Sequence, residues 1–165
     1  MPISSNKYKQ MSIKEFTKAA KIYDSGKSGI YEICKYDYPK VLTELKNTKF
    51  IVGDCENLPF EDESYDVIIC TNSFHHYLNP QDFFDSVYRV LRKGGRLILR
   101  DYTSSDLIVW LMNHIELPLA HLVGHGDVKI YKKEEYREML KKAGFRKMKV
   151  QAEEKFRCHI IAVKL

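Results

Sequence analysis

A chain of 165 residues has the size of one compact domain, or of a small domain with an N-terminal arm. Its hydrophobic content of 44% supports a packed core, which excludes intrinsic disorder for most of the chain. Residues 1–50 hold ten lysines and no arginine, so the net charge of +5 favours a solvated arm over a nucleic-acid-binding surface. The composition therefore predicts no nucleic-acid partner.

The predicted elements begin with an N-terminal helical arm, residues 1–48. Ser12 and Glu15 have the spacing of a capping box and start a helix, and a second helical stretch covers residues 30–45. The remainder, residues 49–165, is predicted to be a separate α/β domain, because strand-like and helix-like segments alternate along it.

The α/β domain opens with a short apolar run at residues 50–52 and a longer one at 65–70. Both runs are apolar on both faces, which is typical of parallel strands covered by helices on both sides. A helix begins at Asn79 and Pro80 and ends in the turn 93–95, which leads into a third strand at 96–101.

The last elements are two helices and two strands. An apolar helix at 104–123 is expected to be mostly core, and a lysine-rich helix at 132–143 is closed by Gly144. Strands near 147–152 and 159–164 are close enough in sequence to pair antiparallel. This order of elements predicts an α/β sheet with helices on both faces.

Four cysteines and the apolar stretches bear on location. Cys34, Cys55, Cys70 and Cys158 show no CxxC spacing, so no disulfide framework is expected and a reducing cytoplasm is favoured. Polar residues interrupt the most apolar stretch, 107–123, and residues 1–16 contain no apolar segment, so no secretory signal is expected there. We predict a cytoplasmic protein with no membrane partner.

Polar residues at strand ends are the site candidates, because ligands of open α/β sheets bind beyond the carboxyl ends of the strands. The residues in such positions are Asp54, Cys55, Thr71, Asn72, His75, His76, Asp101 and Tyr102. Of these, His75 and His76 could supply a base, and Asp101 and Tyr102 end a strand at the cleft.

The sequence also contains a candidate metal-ligand set, formed by His114, His121, His125 and Asp127. Two of these histidines stand four residues apart, but Gly124 and Gly126 are expected to end the helix between them. We therefore predict no metal site and assign these side chains to the polar rim of a substrate pocket.

Four segments together resemble the second half of a class I S-adenosylmethionine-dependent methyltransferase of the small-molecule, quinone-biosynthesis-like branch. They are FIVGDCENLPF (50–60), SYDVIICTNSFHHY (64–77), VYRVLRKGGRLIL (87–99) and YKKEEYREMLKKAGF (131–145). The resemblance covers residues 49–165 and implies a three-layer Rossmann-like sheet, mostly parallel with a C-terminal antiparallel hairpin. The arm resembles the lid helices of that family.

The resemblance implies that S-adenosylmethionine is the cofactor. Asp54 stands where the family uses a carboxylate to accept a hydrogen bond from the adenine amino group, with the backbone of Cys55 beside it. Thr71 and Asn72 lie where the family's chain passes the methionine moiety, and Tyr23 falls where a lid aromatic closes over the cofactor.

The sequence also departs from the family pattern. No counterpart of its first strand, its GxGxG turn and its second strand stands between Lys46 and Phe50, so the sheet is expected to be shortened by loss of the first strands. Either the run at 50–52 crosses to lie beside strand 65–70, or the open edge invites a homodimer or domain swap, or a segment is missing from the sequence as given.

The function implied is methyl transfer from S-adenosylmethionine to a small-molecule acceptor. Such an in-line displacement requires alignment and exclusion of water more than a fixed catalytic residue. A base, His75, His76 or His125, is needed only where the acceptor must lose a proton. The alternative is a catalytically inactive methyltransferase-like module that acts through partner binding or self-assembly.

Overall fold

The computed structural model describes residues 53–153 and 156–165, together with Lys7, Gln10, Met11, Lys14, Lys49 and Ile51. The chain divides into two compact units, Met1–Val52 and Gly53–Leu165. In the first unit Lys7, Gln10, Met11 and Lys14 are helical, so helical residues occur ahead of the predicted start at Ser12, which itself lies outside the described residues. Tyr23 and the helical stretch predicted at 30–45 lie outside the described residues. The predicted boundary between residues 48 and 49 stays a prediction.

The second unit is built around a four-stranded sheet in the order β1-β2-β4-β3. Its elements are β1 (Tyr65–Thr71), a 3₁₀ turn (Phe74–His76), α1 (Pro80–Val90), β2 (Leu91–Tyr102), α2 (Asp106–Leu111), a π-helical turn (Met112–Glu116), α3 (Leu117–Leu122), α4 (Lys133–Ala143), β3 (Lys147–Glu153) and β4 (Arg157–Val163). β1 and β2 pair in parallel, whereas β4 pairs antiparallel with both β2 and β3. The predicted α/β fold and C-terminal antiparallel hairpin are confirmed.

The core lies on one face of this sheet, where α1 and α4 pack. Its fully buried side chains include Phe84 and Val87 of α1, Leu97 and Leu99 of β2, Tyr136 and Leu140 of α4 and Ile160 of β4. On the opposite face of β1, Val67 and Ile69 are 39% and 67% exposed. Within the described part of the chain, β1 is thus covered on one face, although its apolar pattern predicted cover on both.

The junction between α1 and β2 differs from its prediction. β2 begins at Leu91, which pairs with Tyr65, so the turn at 93–95 lies inside the strand as a bulge rather than ahead of it. Gly94 supplies the positive φ of 79° that this bulge requires. A Cβ at Gly95 would lie 2.8 Å from the carbonyl oxygen of Arg92, so only glycine fits there.

The helix predicted at 104–123 consists of α2, the π-helical turn and α3. Asn113, in the π-helical turn, exchanges two hydrogen bonds with the backbone of Ile130, at 2.8 and 2.9 Å. The expectation that this helix is mostly core is wrong, since Leu107 is 67% and Leu122 is 82% exposed. No helix among the described residues is long and apolar enough to cross a membrane.

The predicted strand at 50–52 is not seen in the residues that the structure describes. Ile51 and Gly53 lie outside any strand, and Asp54 forms an isolated antiparallel bridge with Asn57. Phe50 and Val52 lie outside the described residues.

Candidate active site

The loop that follows β1 forms the floor of the candidate site. Asn72 has a φ of 51°, in the left-handed region that asparagine tolerates better than most residues, and the chain turns sharply there. The Asn72 N–H donates to the carbonyl oxygen of Arg100 at 2.9 Å, which keeps the start of the loop beside β2. The chain then forms the Phe74–His76 turn and enters α1 after Asn79.

Asp101 of β2 anchors this loop through hydrogen bonds to its carboxylate. Its Oδ2 accepts hydrogen bonds from the backbone N–H groups of Ser73 and Phe74 at 3.0 and 2.7 Å. Its Oδ1 accepts from the N–H of Tyr102 and lies 2.7 Å from Nδ1 of His75. Asp101 is fully buried, so its carboxylate positions the loop.

The segment that contains Asp54 docks against the same loop. The carboxylate of Glu56 accepts hydrogen bonds from the N–H groups of Leu78 and Asn79 at 2.7 and 3.0 Å, and from the Asn79 side-chain amide at 2.9 Å. The N–H of Leu58 donates to Oγ of Ser86 in α1 at 2.9 Å. Segment 54–58 and the loop after β1 therefore lie against each other at the carboxyl end of β1.

The predicted cofactor residues in the described part of the chain are accessible. Asp54, Thr71 and Asn72 are exposed, and Cys55 is half-buried. Oδ1 of Asp54 accepts a hydrogen bond from the N–H of Glu56 at 3.0 Å, which closes a local turn. The fifth predicted residue, Tyr23, lies outside the described residues.

Arg157 joins the site although the sequence reasoning missed it. Its guanidinium donates to Oδ1 of Asn72 and lies 4.4 Å from the centre of the Tyr102 ring. Arg157 opens β4 opposite Tyr102 in the antiparallel ladder, so only the register of the C-terminal hairpin could have revealed it.

The three histidines predicted as bases gather around one carboxylate. Asp127 Oδ1 lies 3.3 Å from His75 Nε2 and 3.3 Å from His76 Nδ1, and the charge of His125 also acts on it. His121 contributes its Nε2 to the backbone oxygen of Asp127 at 2.6 Å. The sequence had grouped Asp127 with His114, but His114 stacks on Trp110 instead.

The carboxylates on both sides of His75 decide its charge. Burial alone would lower the pKa of His75, but its hydrogen bonds to Asp101 and Asp127 outweigh burial and raise that pKa to about 9. Burial alone would raise the pKa of Asp127, whereas the hydrogen bond from His75 and the charges of His75, His76 and His125 lower it. At neutral pH His75 is therefore an imidazolium that donates from both ring nitrogens.

Two further features bear on chemistry. Nitrogen and oxygen donors of His75, His76 and Asp127 all lie within 4.8 Å of one another, which brings a metal-ligand set together where the sequence predicted none.

Burial raises the pKa of Cys55 and Cys70, and that of Cys158 to about 12, so these thiols are poor nucleophiles.

The parallel β1–β2 pair, the antiparallel C-terminal hairpin and the polar loops at the strand ends define the fold of class I S-adenosylmethionine-dependent methyltransferases. Residues 25–99 match the methyltransferase domain family, the kind of protein that the motifs resemble. The match begins at residue 25, inside the predicted arm rather than at residue 49.

This chain matches only part of the length of its curated relatives. The chain is 40% identical over 79 residues to phthiotriol/phenolphthiotriol dimycocerosates methyltransferase 1 of Mycobacterium ulcerans, covering 47% of this chain and 29% of that protein. It is 34% identical over 100 residues to the corresponding methyltransferase of Mycobacterium tuberculosis, covering 60% of this chain and 35% of that protein. The chain thus spans about a third of the length of these relatives.

Solved structures share the fold. The YcgJ protein of Bacillus subtilis superposes with a TM-score of 0.61 at 17% identity, over 79% of this chain and 76% of that one. A SAM-dependent methyltransferase of Aquifex aeolicus superposes with a TM-score of 0.55 at 21% identity, over 79% of this chain and 62% of that one.

Proposed function

We propose that this chain transfers a methyl group from S-adenosylmethionine to a small-molecule acceptor, at the place where segment 54–58 and the loop after β1 lie against each other. The observation that carries the proposal is the Glu56 carboxylate, which accepts three hydrogen bonds from Leu78 and Asn79 and joins the two predicted cofactor-binding stretches. Ligands of open α/β sheets bind at this end of the strands.

The donor set on the two segments fits the cofactor. Asp54 offers an exposed carboxylate that would accept a hydrogen bond from the adenine amino group, beside the backbone of Cys55. Thr71 and Asn72 are exposed and would lie along the methionine part. The side-chain oxygen of Asn72 already accepts from Arg157, so Arg157 would fix the orientation of the Asn72 amide toward the ligand.

When bound, S-adenosylmethionine would supply a methyl group activated by its sulfonium sulfur, and that sulfur would be released as a thioether. The residues of the chain orient the reactants and exclude water. Asp101 and Glu56 hold the loop in place through backbone hydrogen bonds before any ligand arrives. A proton lost by the acceptor would go to a ring nitrogen of one of the predicted bases, His75, His76 or His125.

Isothermal titration of the full chain with S-adenosylhomocysteine tests this proposal. We expect saturable binding, weakened about 10- to 100-fold by Asp54→Asn, because the amide puts a donor where the carboxylate accepts. Glu138→Gln, an exposed acid on α4, is the matched control and should leave binding unchanged. No binding up to millimolar ligand, or equal binding by Asp54→Asn and the unaltered chain, would overturn the proposal.

A second candidate function, self-assembly, is favoured by the edge of the sheet. Within the described residues β1 pairs with β2 and presents its other edge, and on its face opposite the core Ile69 is 67% exposed. A second copy could add a strand there as a homodimer or domain swap. Light scattering during size-exclusion chromatography should then show a dimer that Ile69→Lys dissociates and the control Leu122→Lys does not. A monomer at all concentrations would contradict it.

A further inference from the structure

We propose that His75, His76 and Asp127 form a binding site for a divalent transition-metal ion, with Zn²⁺ as the best fit. The site goes beyond the methyltransferase function, and it can exist whether or not the chain transfers methyl groups. The three side chains come from two separate stretches of sequence, the 3₁₀ turn after β1 and the loop between α3 and α4.

Two of the three spacings between the donor atoms have the length found in a tetrahedral metal site, and all three lie within 4.8 Å. Asp127 Oδ1 lies 3.3 Å from His75 Nε2 and 3.3 Å from His76 Nδ1. With metal–ligand bonds of about 2.0–2.2 Å, neighbouring ligand atoms of a tetrahedral zinc site lie about 3.4 Å apart. Both contacts of Asp127 therefore already have the length of an edge of the coordination tetrahedron.

A carboxylate behind His75 fixes the ring in the orientation that a metal ligand needs. Nδ1 of His75 lies 2.7 Å from Oδ1 of the fully buried Asp101, which accepts a hydrogen bond from the Nδ1–H. Metal-binding histidines commonly donate their second ring N–H to a carboxylate in this way, because the bond selects the tautomer and makes the other nitrogen a better ligand. His75 Nε2 is thereby directed at Asp127.

Backbone hydrogen bonds hold the two halves of the site together. The carbonyl oxygen of His75 accepts from the N–H groups of Val128 and Lys129 at 2.8 and 3.1 Å. Nε2 of His121 donates to the carbonyl oxygen of Asp127 at 2.6 Å. The loop that carries Asp127 is therefore fastened directly to the residue that supplies the first nitrogen ligand.

The charges around His75 favour a cation between these side chains. Two carboxylates, Asp101 and Asp127, flank one imidazole ring, and a metal ion would take the place of the proton between His75 Nε2 and Asp127. Two imidazoles and one carboxylate suit Zn²⁺ better than Mg²⁺ or Ca²⁺, which prefer oxygen ligands. The side chain of Asp127 is 30% exposed, which leaves an entry path and a position for water.

The full chain, free of any affinity tag and stripped with a chelator, would be titrated with ZnCl₂ by calorimetry. We expect one equivalent of zinc to bind, and Mg²⁺ to give no saturable heat. Co²⁺ in place of zinc should show the visible absorption of a tetrahedral site. Asp127→Ala and His76→Ala should each weaken zinc binding more than about 100-fold, because each removes one of three protein ligands.

His114→Ala is the matched control, since His114 is exposed and stacks on Trp110 away from the cluster. It should bind zinc as the unaltered chain does. Circular dichroism checks that each variant folds. If Asp127→Ala does not fold, His76→Ala serves as the test. Absence of saturable zinc binding, or equal affinity in the cluster variants and the control, would overturn the metal site and leave the test with S-adenosylhomocysteine unaffected.

Discussion

The two sides of the candidate site are held in different ways. The loop side, residues 72–79, rests on the buried carboxylate of Asp101, which receives backbone hydrogen bonds from Ser73 and Phe74. The segment side, residues 54–58, rests on exposed or half-buried contacts, among them the local turn that Asp54 closes with the N–H of Glu56.

This difference separates rigidity from adaptability within one site. Buried hydrogen bonds to an ionised carboxylate are strong and open only when the surrounding core opens, whereas exposed turns open locally at little free-energy cost. The loop side should therefore keep its shape without ligand. The segment side should adjust when a ligand arrives.

Removing the buried anchor should have the largest effect. Asp101→Asn puts an amide among four N–H donors, so at least one donor is left without an acceptor in the interior. We expect the free energy of unfolding to fall by about 3–5 kcal/mol, as measured by urea denaturation. Asp106→Asn, at the exposed start of α2, should cost less than about 1 kcal/mol. Equal losses in the two variants would show that Asp101 does not carry the loop.

Removing the link between the two sides should cost less. Glu56→Ala deletes the acceptor of three hydrogen bonds, but the carboxylate is half-exposed, so water can replace part of what is lost. We expect a loss of about 1.5 kcal/mol in the free energy of unfolding. Glu138→Ala on α4 is the control and should stay within about 0.5 kcal/mol of the unaltered chain. A neutral Glu56→Ala would mean that the two sides are held independently.

Local signals made much of the fold predictable from the sequence. Helix α4 and its terminal Gly144, whose φ is 111°, followed from periodicity and a glycine stop, and the β3–β4 hairpin followed from two closely spaced strand patterns. The start of β2 was missed, because a bulge with Gly94 is indistinguishable in sequence from a turn before a strand. The exposure of α2 and α3 was missed because apolar composition alone does not show what covers a helix.

The candidate site was predictable only in part, for a different reason. The polar strand ends identified Asp54, Thr71 and Asn72 as accessible, but the contacts that organise the site join residues far apart in the chain. Asp101 and His75 are 26 residues apart, and they meet because β1 and β2 pair in parallel with Thr71 opposite Arg100. Partners of this kind depend on register, which periodicity does not encode.

Hydrogen exchange would measure the comparison directly, amide by amide. The N–H of Phe74 donates to the buried Asp101 at 2.7 Å, whereas the N–H of Glu56 donates to the exposed Asp54 at 3.0 Å. We expect the Phe74 amide to exchange near the rate of global unfolding and the Glu56 amide much faster, as resolved by NMR. Similar rates for both amides would contradict a rigid loop side.

Loss of the local turn should have the smallest effect on stability. Asp54→Ala removes one exposed hydrogen bond, to the N–H of Glu56, and should change the free energy of unfolding by less than about 0.5 kcal/mol. The same variant lacks the carboxylate that would accept a hydrogen bond from the ligand. A lowered affinity for S-adenosylhomocysteine at unchanged stability would therefore assign Asp54 to binding rather than folding. A stability loss as large as that of Glu56→Ala would instead make Asp54 part of the scaffold, and the segment side would no longer count as the adaptable one.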